Sequence, residues 1–554
     1  MADAVRIVFL GGLGEIGRNW MALEVAGKII LLDCGLMFPD ADMHGIDLVL
    51  PDFTYLRDHA DQVVGCVATH GHEDHVGGLT YILRDLTFPI YGSPLTLGLA
   101  RNRIEEAGLL GRTELIPVAD GERRKIGPFD VEFIPVTHSV PHAFAIAFHT
   151  PQGVILHSGD FKLDLTPVDG RLTDLSRMGA LASSPGGVRL LLSDSTNAEE
   201  AGHAPSERAV GAVLRAVFAR LDGRRIITAS FASHIHRIQQ IIDAAVASGR
   251  VVATLGMSVA RNVRMARDLG LLHVPDASLV DIEAVDSLPP GRVCVISTGS
   301  QGEPMSALAL MAGGDNKWLK ITSDDTVILS SHAIPGNEFN VSRVIDGLLR
   351  LGAEVVHTGV ADVHATGHAQ ADELKTLLAI ARPEFFIPVH GEYRHLVAHA
   401  KLANLMGVGD ERILLAEDGD VVVLHDDGID FGERVPSGYL YVDGIVGDVG
   451  QGVLRDRRVL AEEGVVVVIV AVDVTTGKVI TGPEIITRGW VYAPEAESLL
   501  GEARETVKAA VEHAVGNGVR DPEALEREVR RAAGKFVSER TRRRPMIVPV
   551  VMSA

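Results

Sequence analysis

The chain has 554 residues, 46% of them hydrophobic, which is enough for two to four domains that each bury a core of their own. Its formal net charge of −21 opposes nonspecific attraction to a polyanion, so a nucleic-acid partner has to be held by a local groove or by bound metals. The longest apolar run, Val465 to Val472, is far shorter than the ~20 residues of a membrane-spanning helix. We therefore expect no contact with a membrane.

The N-terminal sequence and the cysteine content indicate the cellular compartment of the protein. Met1 to Arg6 has neither a basic leader nor a long apolar stretch, so we expect no signal peptide. Cys34, Cys66 and Cys294 are scattered and odd in number, which argues against a disulfide framework and against cysteine-ligated zinc. Both observations predict a cytoplasmic protein.

A glycine-rich stretch near the start resembles a dinucleotide-binding fingerprint, Gly-x-Gly-x-x-Gly from Gly12 to Gly17, with an acidic residue, Asp33, about 20 residues further on. The segment between them decides against that interpretation. Trp20 to Val25 alternates, which predicts a hairpin with Lys28 to Leu32 and not a crossover helix. We expect Asp33 to lie close to the next motif and to orient a histidine there.

The densest group of metal-binding side chains lies at one predicted strand-to-helix turn, Ala68-Thr69-His70-Gly71-His72-Glu73-Asp74-His75. His70 and His72 are two positions apart in an extended segment, so both imidazoles can point to the same side. Asp74 and His75 fall at the start of the helix, displaced toward a second position. Imidazole with carboxylate suits zinc or manganese, and ligands divided in this way suggest two metal ions.

The pattern His-x-His-x-Asp-His resembles the signature of the metallo-β-lactamase superfamily of hydrolases, which implies an α/β protein with a four-layer αββα fold. Three more positions at predicted strand ends match that superfamily in order and context: His138, Asp160 and His390. A lone histidine at a strand end is usually a polar loop residue. These three positions are therefore expected to be ligands only because they match the superfamily. The resemblance implies one metal bound by His70, His72 and His138, a second bound by Asp74, His75 and His390, and Asp160 shared. We expect His142, His149, His157 and His203 to be structural or surface residues.

Repeated strand-loop-helix units from Pro205 to Val356 predict a separate α/β domain. Each Gly/Ser-rich junction at a helix start offers free backbone N–H groups to an anion, although ordinary helix capping explains the same composition. Since His390 is needed at a metal centre formed by the first 160 residues, this domain must be an insertion within the metallohydrolase domain.

The insertion and three further motifs resemble the β-CASP branch of the superfamily, whose members cleave nucleic acids. Asp194 in Leu191 to Thr196, His368 in Ala365 to Ala369, and His390 correspond to motifs A, B and C. Histidine in the third motif is typical of the RNA-acting members. Within the branch, an N-terminal segment, an internal motif and an appended C-terminal domain are similar to the bacterial ribonuclease J family: Gly11 to Asn19, Pro335-Gly336-Asn337-Glu338, and the residues after about Ile445.

The predicted domain order is a first part of the metallo-β-lactamase domain (1–205), the β-CASP insertion (206–356), the second part (357–428), a linker (429–446) and a small C-terminal α+β domain (447–554). In the last domain we predict strands at 464–472, 478–480 and 546–552 and helices at 497–515 and 522–539. The basic run Arg540, Arg542, Arg543 and Arg544 either touches RNA or is a solvated helix end. The apolar strands and the resemblance together imply a homodimer or homotetramer.

The resemblance implies a ribonuclease with two divalent metal ions, Zn²⁺ and/or Mn²⁺, that cleaves single-stranded RNA from the 5′ end and also internally, in RNA maturation and mRNA decay. The predicted catalytic residues are Asp74, Asp194, which orients ligands, and His368, which stabilises the phosphate or protonates the leaving oxygen. A pocket for a 5′-monophosphate is predicted at Ser233, His364, Ala365, Thr366, Gly367 and His368.

The sequence is compatible with three other functions. A DNA nuclease of the same branch differs only in substrate. A small-molecule hydrolase, such as a lactonase or thioesterase, would have no use for the insertion. A non-enzymatic RNA-binding scaffold would have no use for the complete set of predicted metal ligands.

Overall fold

The computed structural model describes residues 4–40, 42–334, 337–444, 446–473, 475–476, 478–491 and 496–553. Pro335 and Gly336 of the internal motif, and Ile445, lie outside the described residues. The chain divides into two compact units, the first Met1–Phe38 with Leu50–Tyr439, the second Pro39–Val49 with Leu440–Ala554. Among the described residues, no helix is both long enough and apolar enough to cross a membrane.

The first part of the chain contains the strands and short helices that lead into most of the predicted metal ligands. In chain order these are β1 (Val5–Gly11), β2 (Leu13–Gly14), β3 (Trp20–Val25), β4 (Lys28–Leu32), β5 (Leu48–Pro51), α1 (Thr54–Asp58), β6 (Val63–Val67), α2 (Glu73–Val76), α3 (Leu79–Ile82), β7 (Ile90–Gly92), α4 (Pro94–Glu106), β8 (Leu115–Pro117), β9 (Arg123–Ile126), β10 (Phe129–Val136), β11 (Ala143–Thr150), β12 (Gly153–His157), α5 (Leu175–Ala182) and β13 (Val188–Asp194).

The predicted insertion and the return to the first fold follow. Their elements are α6 (Glu207–Arg220), β14 (Arg225–Ala229), α7 (Ile235–Ala247), β15 (Val251–Leu255), α8 (Met257–Asp268), β16 (Val293–Ser297), α9 (Ala307–Gly313), β17 (Asp325–Leu329), α10 (Glu338–Arg350), β18 (Glu354–Val356), α11 (Ala371–Ala381), β19 (Phe385–Val389), β20 (Gly391–Glu392), α12 (Tyr393–Leu405), β21 (Val421–His425), β22 (Gly428–Phe431) and β23 (Tyr439–Asp443), the last running on into the second unit. Strand β22 pairs with β21 and so extends the first sheet into the predicted linker.

Two sheets packed face to face form the centre of the first unit. One has the strand order β22-β21-β1-β3-β4-β6-β7-β8, the other β19-β13-β12-β11-β10-β9. Apolar side chains from both sheets, among them Phe9, Leu32, Phe133 and Leu192, are buried between them. Helices α5, α11 and α12 cover the outer face of the second sheet and bury a further apolar cluster there. The predicted αββα layering is confirmed.

The hairpin predicted in place of a dinucleotide-binding unit is present. Strands β3 and β4 run antiparallel, with Leu23 opposite Ile30. Strand β4 then pairs in parallel with β6, the strand that leads into the histidine-rich turn. This pairing brings the ends of β4 and β6 to the same edge of the sheet, because parallel neighbours end together.

The α/β block is an insertion, as predicted. Strands β13 and β19 are parallel neighbours with Leu191 opposite Phe386, although the chain between them leaves the sheet to build another domain. That domain has a fully parallel sheet of order β15-β16-β14-β17-β18. His390 directly follows β19, so the return strand delivers it to the edge where β13 ends at Asp194.

The second unit contains β24 (Val446–Asp448), α13 (Gly450–Glu462), β25 (Val465–Asp473), β26 (Lys478–Arg488), α14 (Glu497–Gly516), α15 (Pro522–Thr541) and β27 (Met546–Ser553). Strand β25 lies between β26 and β27. Alternate valines of β25 are buried against α14 and α15. The two predicted helices and all three predicted strands are present. Helix α13 was not predicted, and β26 continues well beyond Ile480.

Candidate metal centre

The predicted ligands come from one turn and three strand ends that share an edge of the two sheets. The turn after β6 carries His70, His72, Asp74 and His75, and the remaining ligands follow β10, β12 and β19. His390 has a left-handed backbone (φ 55°), as has Asp33 (φ 59°) at the end of β4. Non-glycine residues rarely adopt this conformation, and it is concentrated at functional sites where the surroundings enforce it.

The first group of side chains consists of His70, His72, His138 and Asp160, whose ligand atoms all lie within 4.8 Å of one another. His72 Nδ1 is 3.0 Å from His70 Nε2 and 3.2 Å from His138 Nε2. Asp160 Oδ2 is 3.6 Å from His70 Nε2. The three imidazole nitrogens and the carboxylate therefore surround one position.

The second group consists of Asp74, His75, Asp160 and His390. His390 Nε2 lies 3.4 Å from Asp74 Oδ2 and 3.4 Å from Asp160 Oδ2. His75 Nε2 lies 3.2 Å from Asp160 Oδ2. Asp160 belongs to both groups, so the structure brings together the two sets of residues that the sequence paired, including the shared carboxylate.

Four of the histidines have Nδ1 held by a fixed acceptor. His75 Nδ1 donates to Asp33 Oδ2 at 2.7 Å, so that carboxylate lies beside the histidine-rich turn, where it was expected. His70 and His390 donate to Thr69 Oγ1 and Thr196 Oγ1, hydroxyls that themselves donate to Asp33 and Asp194. His138 donates to the Gly367 carbonyl. The Nε2 lone pair of each ring is thereby left for the centre.

Burial divides the histidines electrostatically. Burial lowers the pKa of His72 to about 4 and holds the pKa of His70 and of His138 well below the usual value for histidine, so these rings are neutral. Burial also opposes a charge on His390, but the nearby Asp160, Asp74 and Asp194 raise its pKa to about 9. The three carboxylates around the second group thus favour positive charge there.

These side chains fit divalent metal ions. Neutral imidazoles and carboxylates are the ligands that zinc and manganese accept. Among the described residues, the buried Nε2 of His390 has no hydrogen-bond partner, a state that a buried polar atom rarely keeps without a bound ion or water. A cation in the second group would take the place of the protons, because metal binding displaces protons from its ligands.

A further pair lies beside the shared carboxylate. His368 Nδ1 is 2.7 Å from Asp194 Oδ2 and 4.0 Å from Asp160 Oδ2. Burial disfavours a charged His368, but the charge and hydrogen bond of Asp194 raise its pKa. His368 is partly exposed while Asp194 is buried, so the imidazole faces the cleft and the carboxylate anchors it.

The loop predicted as a phosphate pocket runs along the same edge. Thr366 Oγ1 accepts from Asn197 Nδ2, and a side chain at Gly367 would collide with the His138 ring, so the loop is fixed against the centre. The rings of His364 and His332 stack with centroids 6.5 Å apart. In the described part of the chain, His364 Nδ1 and Ser230 Oγ are buried without a hydrogen bond. No hydrogen bond joins Ser233 to this loop among the described residues.

Asn19 is a neighbour of the centre that the sequence patterns did not single out. Its side-chain amide nitrogen lies 3.1 Å from the Asp74 carbonyl oxygen, 3.1 Å from His75 Nε2 and 3.3 Å from Asp74 Oδ2. Its position at the end of the N-terminal glycine-rich segment was the available signal. The glycine-rich segment therefore places the Asn19 amide beside Asp74 and His75. His157, expected to be structural, also lines the small cavity behind His75 and His390.

A buried guanidinium connects the insertion to this site. Arg237 is fully buried and pairs with Glu207 through two contacts of 2.6 and 2.8 Å. Its Nη1 also donates to the carbonyls of Ser330 and Val363, both at 2.9 Å. One side chain thus joins the chain where it enters the insertion, where β17 ends, and where it returns to the loop that carries His368.

The paired sheets, the parallel α/β insertion and the histidine-aspartate centre define a hydrolase of the metallo-β-lactamase type with a β-CASP domain. Four family models match the chain: the metallo-beta-lactamase superfamily (13–215), the ribonuclease J beta-CASP domain (223–348), the Zn-dependent metallo-hydrolase RNA specificity domain (353–414) and the ribonuclease J C-terminal domain (452–554).

Curated relatives match over the full length. The chain is 44% identical to ribonuclease J of Mycobacterium tuberculosis, over 100% of this chain and 98% of that protein. It is 40% identical to ribonuclease J2 of Bacillus subtilis, over 99% of each, and 43% identical to ribonuclease J of Thermus thermophilus, over 99% and 95%. A crystal structure of an Enterococcus faecalis protein of unknown function shares the fold, with a TM-score of 0.54, 16% identity, and coverage of 76% of this chain and 100% of that one. The chain belongs to the ribonuclease J family and is a metal-dependent ribonuclease.

Proposed function

We propose that the chain hydrolyses phosphodiester bonds of single-stranded RNA with two divalent metal ions, Zn²⁺ and/or Mn²⁺, as a 5′-to-3′ exonuclease that also cuts internally, in RNA maturation and mRNA decay. The observation that carries the proposal is the convergence of two ligand groups on the shared Asp160, with His368 beside them. When bound, such ions lower the pKa of water and neutralise charge on phosphate oxygens.

The ligand assignment we propose is His70, His72 and His138 for one ion and Asp74, His75 and His390 for the other, with Asp160 shared. Thr69, Asp33 and Thr196 hold the rings so that their Nε2 atoms face inward. Asp194 fixes His368 and favours its protonated form. His368 can then donate a hydrogen bond to a phosphate oxygen or a proton to the leaving oxygen.

Cleavage that starts at the 5′ end requires a pocket that binds the 5′ end of the RNA. We place a 5′-monophosphate pocket between the loop His364 to His368 and the end of β14, where Ser233 lies. The buried, unsatisfied Ser230 Oγ and His364 Nδ1 support a polar ligand there. The order of the insertion sheet supports it as well, because β14 and β17 flank the point where strand order reverses, the usual ligand position in open α/β sheets.

Several properties of the whole molecule are part of the proposal. The matched family ranges support the division into domains at 1–205, 206–356, 357–428 and 447–554, with a linker at 429–446. Three buried free cysteines support a cytoplasmic location, where thiols stay reduced. A homodimer or homotetramer is supported by Val548, Val550 and Met552 of β27, apolar side chains left exposed in the second unit.

The test is cleavage of a 3′-labelled RNA that carries either a 5′-monophosphate or a 5′-triphosphate, with Mn²⁺ or Zn²⁺ added. We expect stepwise shortening from the 5′ end with the monophosphate and internal products with the triphosphate. Asp160→Asn should abolish both, because it removes the shared ligand. Asp130→Asn, on the β9–β10 surface, is the matched control and should keep both.

Three results would contradict the proposal. Equal cleavage of matched single-stranded DNA would indicate the DNA nuclease alternative. Hydrolysis of 4-nitrophenyl butyrate without RNA cleavage would indicate a small-molecule hydrolase. Binding of RNA without cleavage under any metal would indicate a scaffold.

A further inference from the structure

Three apolar side chains stand out on the surface of the insertion. Among its described residues, Met257 (89% exposed), Met305 (82%) and Phe339 (72%) are the most exposed large hydrophobic side chains. Apolar side chains exposed on one area of the surface are unfavourable unless a partner covers them, so a common location would indicate a binding surface.

All three lie at the same edge of the parallel sheet. Met257 begins α8 directly after β15, Met305 lies between β16 and α9, and Phe339 is in the first turn of α10 after β17. The carboxyl ends of parallel strands meet at one edge, and β15, β16, β14 and β17 are consecutive in the sheet. At about 4.8 Å per strand, the row spans about 14 Å, the length of about four stacked bases.

This edge is continuous with the metal centre. The Gln301 side chain donates to the His332 carbonyl at 2.8 Å, and its Oε1 accepts from the Ile334 N–H at 2.7 Å. The backbone of Gly302 packs so closely on Asn340, beside Phe339, that a Cβ there would collide. His332 in turn stacks on His364, the first residue of the loop that carries His368.

We propose that Met257, Met305 and Phe339 form a stacking surface for the bases of single-stranded RNA that leads to the metal centre. The proposal rests on the RNA cleavage proposed above and adds how the strand is held. A chain of net charge −21 gains little from phosphate contacts at its surface, whereas stacking on apolar and aromatic faces works for every base. Arg343, with its guanidinium carbon 5.8 Å from the Phe339 ring centroid, adds a cation beside the ring.

The test compares KM for two 5′-monophosphorylated strands, one an intact oligoribonucleotide and the other the same strand with abasic riboses. We expect Phe339→Ala to raise KM for the intact strand about ten-fold and to leave KM for the abasic strand at the native value, since only bases stack. Phe339→Tyr should restore the native KM. The matched control is Leu349→Ala, which removes an exposed side chain (51%) at the other end of the same helix and should change nothing.

Native KM in Phe339→Ala, or an equal rise of KM on both strands, would overturn the proposal, as would an effect of Leu349→Ala as large. A changed molecular mass of Phe339→Ala in light scattering, with native KM, would assign the surface to a second copy of the chain and overturn it too. An intact native enzyme that cleaves neither strand would contradict the proposed function itself, which is a separate outcome.

Discussion

His368 Nδ1 and Asp194 Oδ2 are 2.7 Å apart, although 174 residues separate them in the chain. Asp194 ends β13 and His368 lies on the return from the insertion, so their contact joins the chain before the insertion to the chain after it. The two side chains therefore form one structural unit.

We expect Asp194→Asn and His368→Ala each to lower the single-turnover rate of RNA cleavage by about 10²- to 10⁴-fold, the range for loss of a positioned proton donor. Because the two side chains act together, the double variant should be no slower than the slower single variant. RNA binding, measured by fluorescence anisotropy, should be retained in all three. Losses that multiply in the double variant would show that the residues act independently.

Asp33 holds His75 and, through Thr69, His70. We expect Asp33→Asn to weaken Mn²⁺ binding about 10- to 100-fold, as loss of an orienting carboxylate does elsewhere. Isothermal titration with Mn²⁺ measures this. Asp130→Asn is the control, since Asp130 pairs with Arg123 on the surface. Native Mn²⁺ affinity in Asp33→Asn would show that the rings are held by packing alone.

Arg237 and Glu207 are both buried, so removing the guanidinium leaves a charged carboxylate without its partner. We expect Arg237→Met to lower the free energy of unfolding by about 3–5 kcal/mol, measured by urea denaturation. Arg220→Ala removes an exposed arginine that pairs with Glu354 and should cost no more than about 1 kcal/mol. Adding Glu207→Leu to Arg237→Met should recover part of the loss. Equal effects of the two arginine variants would contradict the buried pairing.

Asp418 and Glu15 share one guanidinium, that of Arg18. Burial and the charge of Glu15 raise the pKa of Asp418 to about 7. The folded chain therefore binds this proton more tightly than the unfolded chain, whose carboxyl has a pKa of about 4. The stabilisation of the fold by this proton is fully present below pH ~4 and is lost as the pH rises to ~7.

The corresponding measurement is the melting temperature of the native chain and of Asp418→Asn across that range. We expect the native chain to lose stability relative to the variant between pH ~4 and ~7 and the difference to be constant above that. Parallel pH profiles of the two proteins would show that Asp418 stays charged throughout.

Local patterns were sufficient for much of this fold. The strands of the insertion sheet are short, mostly apolar segments that alternate with helices, as the repeated strand-loop-helix units predicted. Strand β26 was cut short in the prediction because Gly482-Pro483 interrupts it, and a proline in a strand usually marks its end. Helix α13 was missed because two glycines open it and arginines fill its centre, which hides the apolar period.

The residues proposed as ligands could be predicted to lie together because they follow strand ends in the order that the superfamily resemblance implies, but the residues that support them could not be predicted. Asn19 meets Asp74 across 55 residues, and Arg18 meets Asp418 across 400. Such contacts depend on which loops the packed sheets bring together, and no spacing rule within the chain encodes them. The base-stacking surface was equally hidden, since an exposed methionine has no distinctive local pattern.

The delivery of His390 by the return strand has a consequence for synthesis. A ribosome adding about 5–20 residues per second needs about ten seconds or more to proceed from Asp160 to His390. Throughout that interval the nascent chain lacks His390, and for most of it His368, so under the ligand assignment proposed above the second ligand group is incomplete. The discontinuous topology therefore delays hydrolytic activity until most of the chain has been synthesised.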